Sequence, residues 1–290
     1  MRQRIGLVAG WGQFPVVVAK CLVAQGKQVY CVGIVDHADP VLKDICHDYR
    51  EMGVARLSGQ LRHFRRRNIH CATMAGKIFK TMLFRRFGWV RQMPDWGFWR
   101  NFYPHFVSGS RDRKDDTLLG MFVEVYARNG IELAPATDFA PELLVTNRLL
   151  SKRRLSTHEM RDVKFGWELA KQMGGLDVGQ SVVVKGRAVL AVEAIEGTDE
   201  CIRRAGQLCP AGGFTVVKVA KPQQDMRFDV PTIGLGTLQA LKNAGGRVLA
   251  VEAGKTILLN EPEVVDFADR HKISVLAFSE SDVEQVADVA

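Results

Sequence analysis

Apolar positions fall in short runs along this chain, and the polar residues that close each run mark where the backbone turns. Arg4 to Ala9 (RIGLVA) ends in Gly10-Trp11-Gly12-Gln13-Phe14-Pro15, and an apolar-periodic stretch follows from Val16 to Gln25, closed by Gly26. That order predicts strand, tight loop and helix. Gln28 to Val35 (QVYCVGIV) reads as a second buried strand ending at Asp36, which completes a β-α-β unit of the length expected for a right-handed crossover. The chain therefore opens as a doubly wound, Rossmann-like sheet. Further short elements of this domain are expected at Asp48 to Leu57, around Cys71 to Ala75 and at Ile131 to Leu133, with a helix over Thr117–Arg128.

A second α/β pattern occupies the other half. Ser156-Thr157-His158-Glu159 has the form of a helix start with an acidic first turn, and the helix from Thr157 to Gln172 stops at Gly174-Gly175. Strands are expected at Ser181–Lys185, Ala188–Ala194, Phe214–Val219, Val248–Ala253, Thr256–Leu259 and Ser274–Ala277, with helices over Asp199–Gln207, Thr237–Ala244 and Pro262–His271. The reading is thus two α/β domains, residues 1–140 and 141–290, joined by a linker at about 134–160 where Pro135, Pro141 and a polar, basic stretch fall. A length of 290 residues suits two cores of ordinary size.

Composition narrows the class. Hydrophobic residues at 47% and charged residues at 25% match a globular protein, and no apolar run reaches the roughly 18 residues of a spanning helix. The start runs directly into a strand with no signal-like apolar region, so a cytoplasmic protein is expected. The six cysteines (Cys21, Cys31, Cys46, Cys71, Cys201, Cys209) form no Cys-x-x-Cys pair, which argues against a zinc ribbon and a disulfide scaffold. The seven histidines show no metal-ligand spacing. Charge is uneven: residues 1–114 hold 20 Lys and Arg against 7 Asp and Glu, and the remainder holds 20 against 25. A basic first part favours an anionic partner, whether phosphate, nucleic acid or a bilayer surface. Ile78 to Val107, rich in Phe and Trp and interleaved with Arg85, Arg86, Arg91 and Arg100, reads as a buried aromatic cluster or a lipid-facing surface.

Four stretches carry candidate chemistry. Gly10-x-Gly12-x-x-Pro15 lies after the first strand and before the first helix, where backbone N–H groups and the helix dipole favour an anion. Pro15 replaces the third glycine of the dinucleotide fingerprint, and a plain tight turn accounts for the same residues. Glu193, Glu196, Thr198 and Asp199 cluster at a strand end followed by a glycine turn, where ligands of open α/β sheets bind. Asp199 and Glu193 equally suit a helix cap and a solvated face. Asp112-Arg113-Lys114-Asp115-Asp116 precedes a helix and reads as a second metal position or as an acidic helix start. The fourth, Lys218 to Gly234 (KVAKPQQDMRFDVPTIG), leaves a strand as a proline-bounded loop with Lys218, Lys221, Arg227, Asp225 and Asp229. Cations that offset charge on nonbridging oxygens and carboxylates that hold Mg²⁺ or orient water are what diphosphate chemistry needs, so this loop ranks first.

The strings GQSVVVKGRAVLAVEAIEGTDECIRR (Gly179 to Arg204), KVAKPQQDMRFDVPTIGLGTL (Lys218 to Leu238) and VLAVEAGKTILLN (Val248 to Asn260) resemble the LpxI family of UDP-2,3-diacylglucosamine pyrophosphatases. GLVAGWGQFP resembles the family's opening glycine loop, with Trp11 where a further glycine is usual, and Ala75-Gly76-Lys77 and Asp115 to Leu119 also fall at family positions. The resemblance implies a Mg²⁺-dependent hydrolase of lipid A biosynthesis that splits UDP-2,3-diacylglucosamine into UMP and 2,3-diacylglucosamine 1-phosphate. It implies a substrate held in a cleft between two closing domains, with Asp225 matching the family's essential aspartate.

On this combined reading Asp225 binds Mg²⁺ or activates water, with Glu193 and Glu196 beside it. Lys218, Lys221, Arg227 and Lys77 offset the diphosphate charge, and Thr198, Gly10, Gly12 and Gln13 meet the substrate. The glycolipid nucleotide and an anionic inner-membrane surface are the expected partners, the protein being peripheral to that membrane; nucleic acid is not, and a homodimer is left open. Two rivals remain: a nucleotide-cofactor oxidoreductase with Asp36 reading a ribose, and a non-enzymatic membrane- or RNA-binding module built on the aromatic-basic stretch.

Overall fold

In a computed structural model of the chain the described residues are 3–77, 95–100, 115–227 and 230–282. Most of the aromatic-basic stretch, with Asp112 and Asp229, lies outside them. The chain divides into two compact units, Met1–Pro141 with Asp225–Phe228, and Glu142–Gln224 with Asp229–Ala290.

The first unit holds β1 (Arg4–Ala9), α1 (Phe14–Ala24), β2 (Gln28–Ile34), α2 (Leu42–Ile45), β3 (Asp48–Met52), α3 (Leu57–Arg65), β4 (Cys71–Ala75), α4 (Asp115–Arg128), β5 (Glu132–Leu133) and α5 (Ala136–Phe139). Its five strands are all parallel, in the order β3-β2-β1-β4-β5. Parallel sheets bury both faces, so their strands read as unbroken apolar runs. Alternate residues of β1 accordingly divide between two cores. Ile5, Leu7 and Ala9 pack with Val16, Ala19 and Leu22 of α1, whereas Val8 packs with Leu57, Leu61 and Phe64 of α3 and with Tyr126 of α4.

The second unit holds β6 (Arg148–Leu149), α6 (Thr157–Gly175), β7 (Ser181–Lys185), β8 (Ala188–Val192), α7 (Thr198–Leu208), β9 (Thr215–Lys218), β10 (Thr232–Ile233), α8 (Leu235–Asn243), β11 (Val248–Glu252), β12 (Ile257–Leu258), α9 (Glu261–Arg270) and β13 (Ser274–Phe278). Its main sheet runs β6-β13-β11-β9-β7-β8, with β9, β11 and β13 parallel and the outer strands antiparallel. Val216, Leu249, Val251 and Val275 face one core with Cys201, Ile202 and Ala205 of α7, while Val217, Val248 and Ala250 face the other with Val163, Trp167 and Ala170 of α6.

Local signals account for the helix that begins this unit. Ser156 Oγ accepts from the Glu159 N–H at 3.3 Å and Glu159 Oε2 accepts from the Ser156 N–H at 2.8 Å, closing the capping box that the sequence announced. The stretch read as a linker carries α5, a 3-10 turn at Pro141–Leu143 and β6, whose Arg148 and Leu149 pair with β13. Among the described residues no helix is long and apolar enough to cross a membrane.

Candidate functional site

The polar residues singled out in the sequence collect where strands end, because the carboxyl ends of parallel strands leave the sheet's last amides and the following helix N-termini facing one edge. In the first unit this is the junction of β1 and β4. Gly10 N–H bonds the Ala75 carbonyl at 2.8 Å, and Trp11 and Lys77 exchange backbone hydrogen bonds of 2.8 and 3.0 Å. A β-carbon on Gly10 would lie 2.7 Å from the Lys77 carbonyl oxygen, so glycine alone permits this pairing. Gly12 adopts φ +103°, which also favours glycine. Gln13 begins α1 without a side-chain cap, followed by Pro15, and the side chains of Trp11, Gln13 and Lys77 are exposed. Asp36 follows β2 in a left-handed conformation.

In the second unit a buried polar cluster spans the ends of two strands and the start of a helix. Glu193 leaves β8, Thr198 opens α7 and Lys218 ends β9, and all three are buried. Residues Thr198, Cys201, Ile202 and Ala205 form the inward stripe of α7 at i, i+3, i+4 and i+7, which turns the Thr198 hydroxyl inward. That hydroxyl donates to Glu193 Oε1 at 2.9 Å and accepts from Lys218 Nζ at 3.1 Å. Lys218 Nζ also donates to the Thr232 carbonyl at 3.2 Å, and the buried Glu193 Oε2 has no hydrogen-bond partner among the described residues.

Glu196 is placed apart from this cluster. It is exposed and paired with Arg204 at 2.6 Å. Its own backbone N–H foremost, with Arg204 and the Ala194 N–H, holds its carboxyl below the usual carboxylate range against a smaller opposing effect of burial.

The loop after β9 is pinned by charge. Lys221 Nζ contacts Asp177 at 2.6 Å. The buried Glu252 carboxylate, at the end of β11, accepts from the Ala220 N–H at 2.8 Å, from Lys171 Nζ at 2.6 and 2.7 Å, and from Lys255 at 2.9 Å. Lys171 and Glu252 were not singled out from the sequence. The one signal was that VLAVE ends a strand on an acid, the same position that marked Glu193.

Farther along, Arg227 Nε donates to both Asp225 oxygens at 2.8 and 3.0 Å, Nη2 adds a contact to Oδ2, and the Arg227 N–H donates to Oδ1 at 3.0 Å. The guanidinium foremost, supported by that N–H and opposed by burial, holds the Asp225 carboxyl below its ordinary range. Asp225 is therefore an acceptor-only group at neutral pH.

Among the described residues no three His, Cys, Asp or Glu converge as a metal cage. The donor set nevertheless suits Mg²⁺ of one kind, because this ion is commonly held by one or two carboxylates together with substrate phosphates and water. Asp225 can supply such a carboxylate once part of its pairing with Arg227 is released, because Arg227 makes two contacts to each of its oxygens.

These features define a protein of two α/β units with charged side chains gathered at strand ends and on the loop that follows β9. The LpxI N-terminal domain matches residues 4–143 and the LpxI C-terminal domain matches residues 146–276, so the chain belongs to the LpxI family. It is also 28% identical over 281 residues to the UDP-2,3-diacylglucosamine pyrophosphatase LpxI of Caulobacter vibrioides, across 94% of this chain and 97% of that protein.

Proposed function

We propose that this chain is a hydrolase that cleaves the diphosphate of UDP-2,3-diacylglucosamine to UMP and 2,3-diacylglucosamine 1-phosphate in lipid A biosynthesis. The observation that carries the reading is membership of the LpxI family along both halves, with Asp225 held ionised by Arg227 in the loop that the sequence ranked first.

Water adds to one phosphorus, the anhydride P–O bond breaks, and the departing phosphate keeps the bonding pair. Asp225 orients that water and draws its proton, a role that needs an ionised carboxylate. Arg227, Lys221 and Lys77 offset charge on the nonbridging oxygens. Gly10, Gly12 and Gln13 offer the substrate the uncapped start of α1, where backbone donors favour an anion. Mg²⁺, held through Asp225 and the phosphates, would neutralise negative charge at the reacting centre.

The parallel order β3-β2-β1-β4-β5 supports a Rossmann-like reading of the first unit, with Gly10 and Lys77 at its switch point between β1 and β4. The family resemblance further supports the glycine loop as a substrate contact. The substrate's lipid chains place it in a membrane, and the basic first part would draw the protein to an anionic inner-membrane surface from the cytoplasm.

Incubation with UDP-2,3-diacylglucosamine and Mg²⁺ in ¹⁸O-labelled water tests the reaction. One product, UMP or the sugar phosphate, is expected to carry the label, and EDTA is expected to stop its release. Absence of UMP release would refute the assignment.

A further inference from the structure

The loop that carries Asp225 begins after Lys218 and ends at Thr232, and one ammonium group ties those two points together. Lys218 Nζ bonds the Thr232 carbonyl at 3.2 Å across the base of the loop and Thr198 Oγ1 at 3.1 Å beneath it, and Thr198 in turn donates to Glu193 Oε1 at 2.9 Å. Glu193, Thr198 and Lys218 are 8%, 8% and 5% exposed, so a charge of each sign is buried here with a hydroxyl between them. Buried charges persist only when paired and hydrogen-bonded, which fixes the geometry of every member.

A threonine hydroxyl has one proton and two lone pairs. That proton serves Glu193, and the oxygen accepts from Lys218 with Ser181 Oγ 3.4 Å away, so its proton is not available to a phosphate oxygen. We propose that Glu193, Thr198 and Lys218 form a clamp at the base of the Asp225 loop, and that Thr198 and Lys218 are positioning residues for hydrolysis, acting through that loop and not by touching the diphosphate. The catalytic half of this inference rests on the proposed hydrolase reading; the clamp itself rests on the hydrogen bonds.

The test compares Thr198→Val, Thr198→Ser, Lys218→Met and the Thr198→Val/Lys218→Met double variant, as full chains, in UMP-release kinetics and amide hydrogen exchange. Thr198→Val is expected to lower kcat on the order of 10²-fold with KM near wild type, because displacing a reacting group by about 1 Å has that effect. Thr198→Ser, which keeps the hydroxyl, restores kcat. The double variant is no slower than Lys218→Met alone, since the two act in one chain of contacts. Amides at 219–224 exchange faster in Thr198→Val while those of β11 stay protected.

Additive losses, a serine variant as slow as valine, or unchanged exchange at 219–224 would overturn the clamp. A wild-type protein that releases no UMP would instead remove the hydrolase reading and leave exchange to judge the clamp. Should Lys218→Met not fold, the valine and serine pair decides the matter.

Discussion

Glu252→Ala perturbs the other anchor of the same loop, and its effect can be worked from the contacts. The carboxylate is buried and takes the Ala220 N–H, both bonds from Lys171 Nζ and the Lys255 ammonium. Its removal leaves Lys171, whose side chain is 18% exposed, with the Ala220 carbonyl at 3.1 Å as its other hydrogen-bond acceptor, and leaves a buried N–H without one. Breaking a buried pair in this way costs about 3–5 kcal/mol. Against a typical domain stability of roughly 5–15 kcal/mol, that is a large share. For a unit of this size it corresponds to a fall in melting temperature on the order of 10 °C. Glu252→Gln keeps an acceptor for Ala220 but loses the charge and turns the other oxygen into an NH2 donor facing the lysines, so it is expected to fall between the alanine variant and wild type. Differential scanning calorimetry of the full chain at neutral pH reads both. A Glu252→Ala transition within about 2 °C of wild type would refute the reasoning, because it would assign the network less than about 1 kcal/mol.

Gly10→Ala places a methyl 2.7 Å from the Lys77 carbonyl and must open the Trp11–Lys77 pairing, so it is expected to cost about 1–3 kcal/mol. Gly12→Ala meets nothing within 4 Å and incurs backbone strain alone, about 1 kcal/mol; equal melting temperatures for the two variants would contradict this. His63 is buried on α3, and desolvation foremost, then Arg67, lowers its pKa from 6.5 to about 4, with Arg50 adding to the effect and Asp48 opposing it. Between those values the unfolded chain binds a proton that the folded chain refuses. Stability is therefore full above pH 6.5 and lost as pH falls toward about 4, by up to about 3 kcal/mol. His63→Gln is expected to flatten the melting temperature across that interval, and an unchanged slope would count against the assignment.

How much of this was legible in the sequence depended on whether the signal was local. The capping box at Ser156 and Glu159 and the apolar runs of β1, β2, β7 and β11 were readable because each follows from a fixed local period. Helix α3 was not. Its buried face mixes Leu57, Leu61 and Phe64 with Gln60 and His63, and only the folded protein shows Gln60 satisfied by the Gly53 and Val54 carbonyls and the Tyr126 hydroxyl. Strands β6 and β10, at two residues each, are too short to display a period.

The site divides the same way. The loop around Asp225 stood out because its charges are neighbours in sequence, whereas the bonds that anchor it join Lys171 to Glu252 across 81 residues and Ala220 to Glu252 across 32. Glu193 and Glu196, three apart and alike in the sequence, part in the structure, one buried against Thr198 and the other exposed on Arg204. Residue type predicted the chemistry available to each carboxylate; the pairing that decides its use is made only on folding.

The most direct test of the account is UMP release from UDP-2,3-diacylglucosamine by Asp225→Ala beside wild type, with substrate binding measured on the same preparations. The variant is expected to fold and bind substrate but to lose turnover. Wild-type rates in Asp225→Ala would contradict the central claim that this carboxylate drives the hydrolysis.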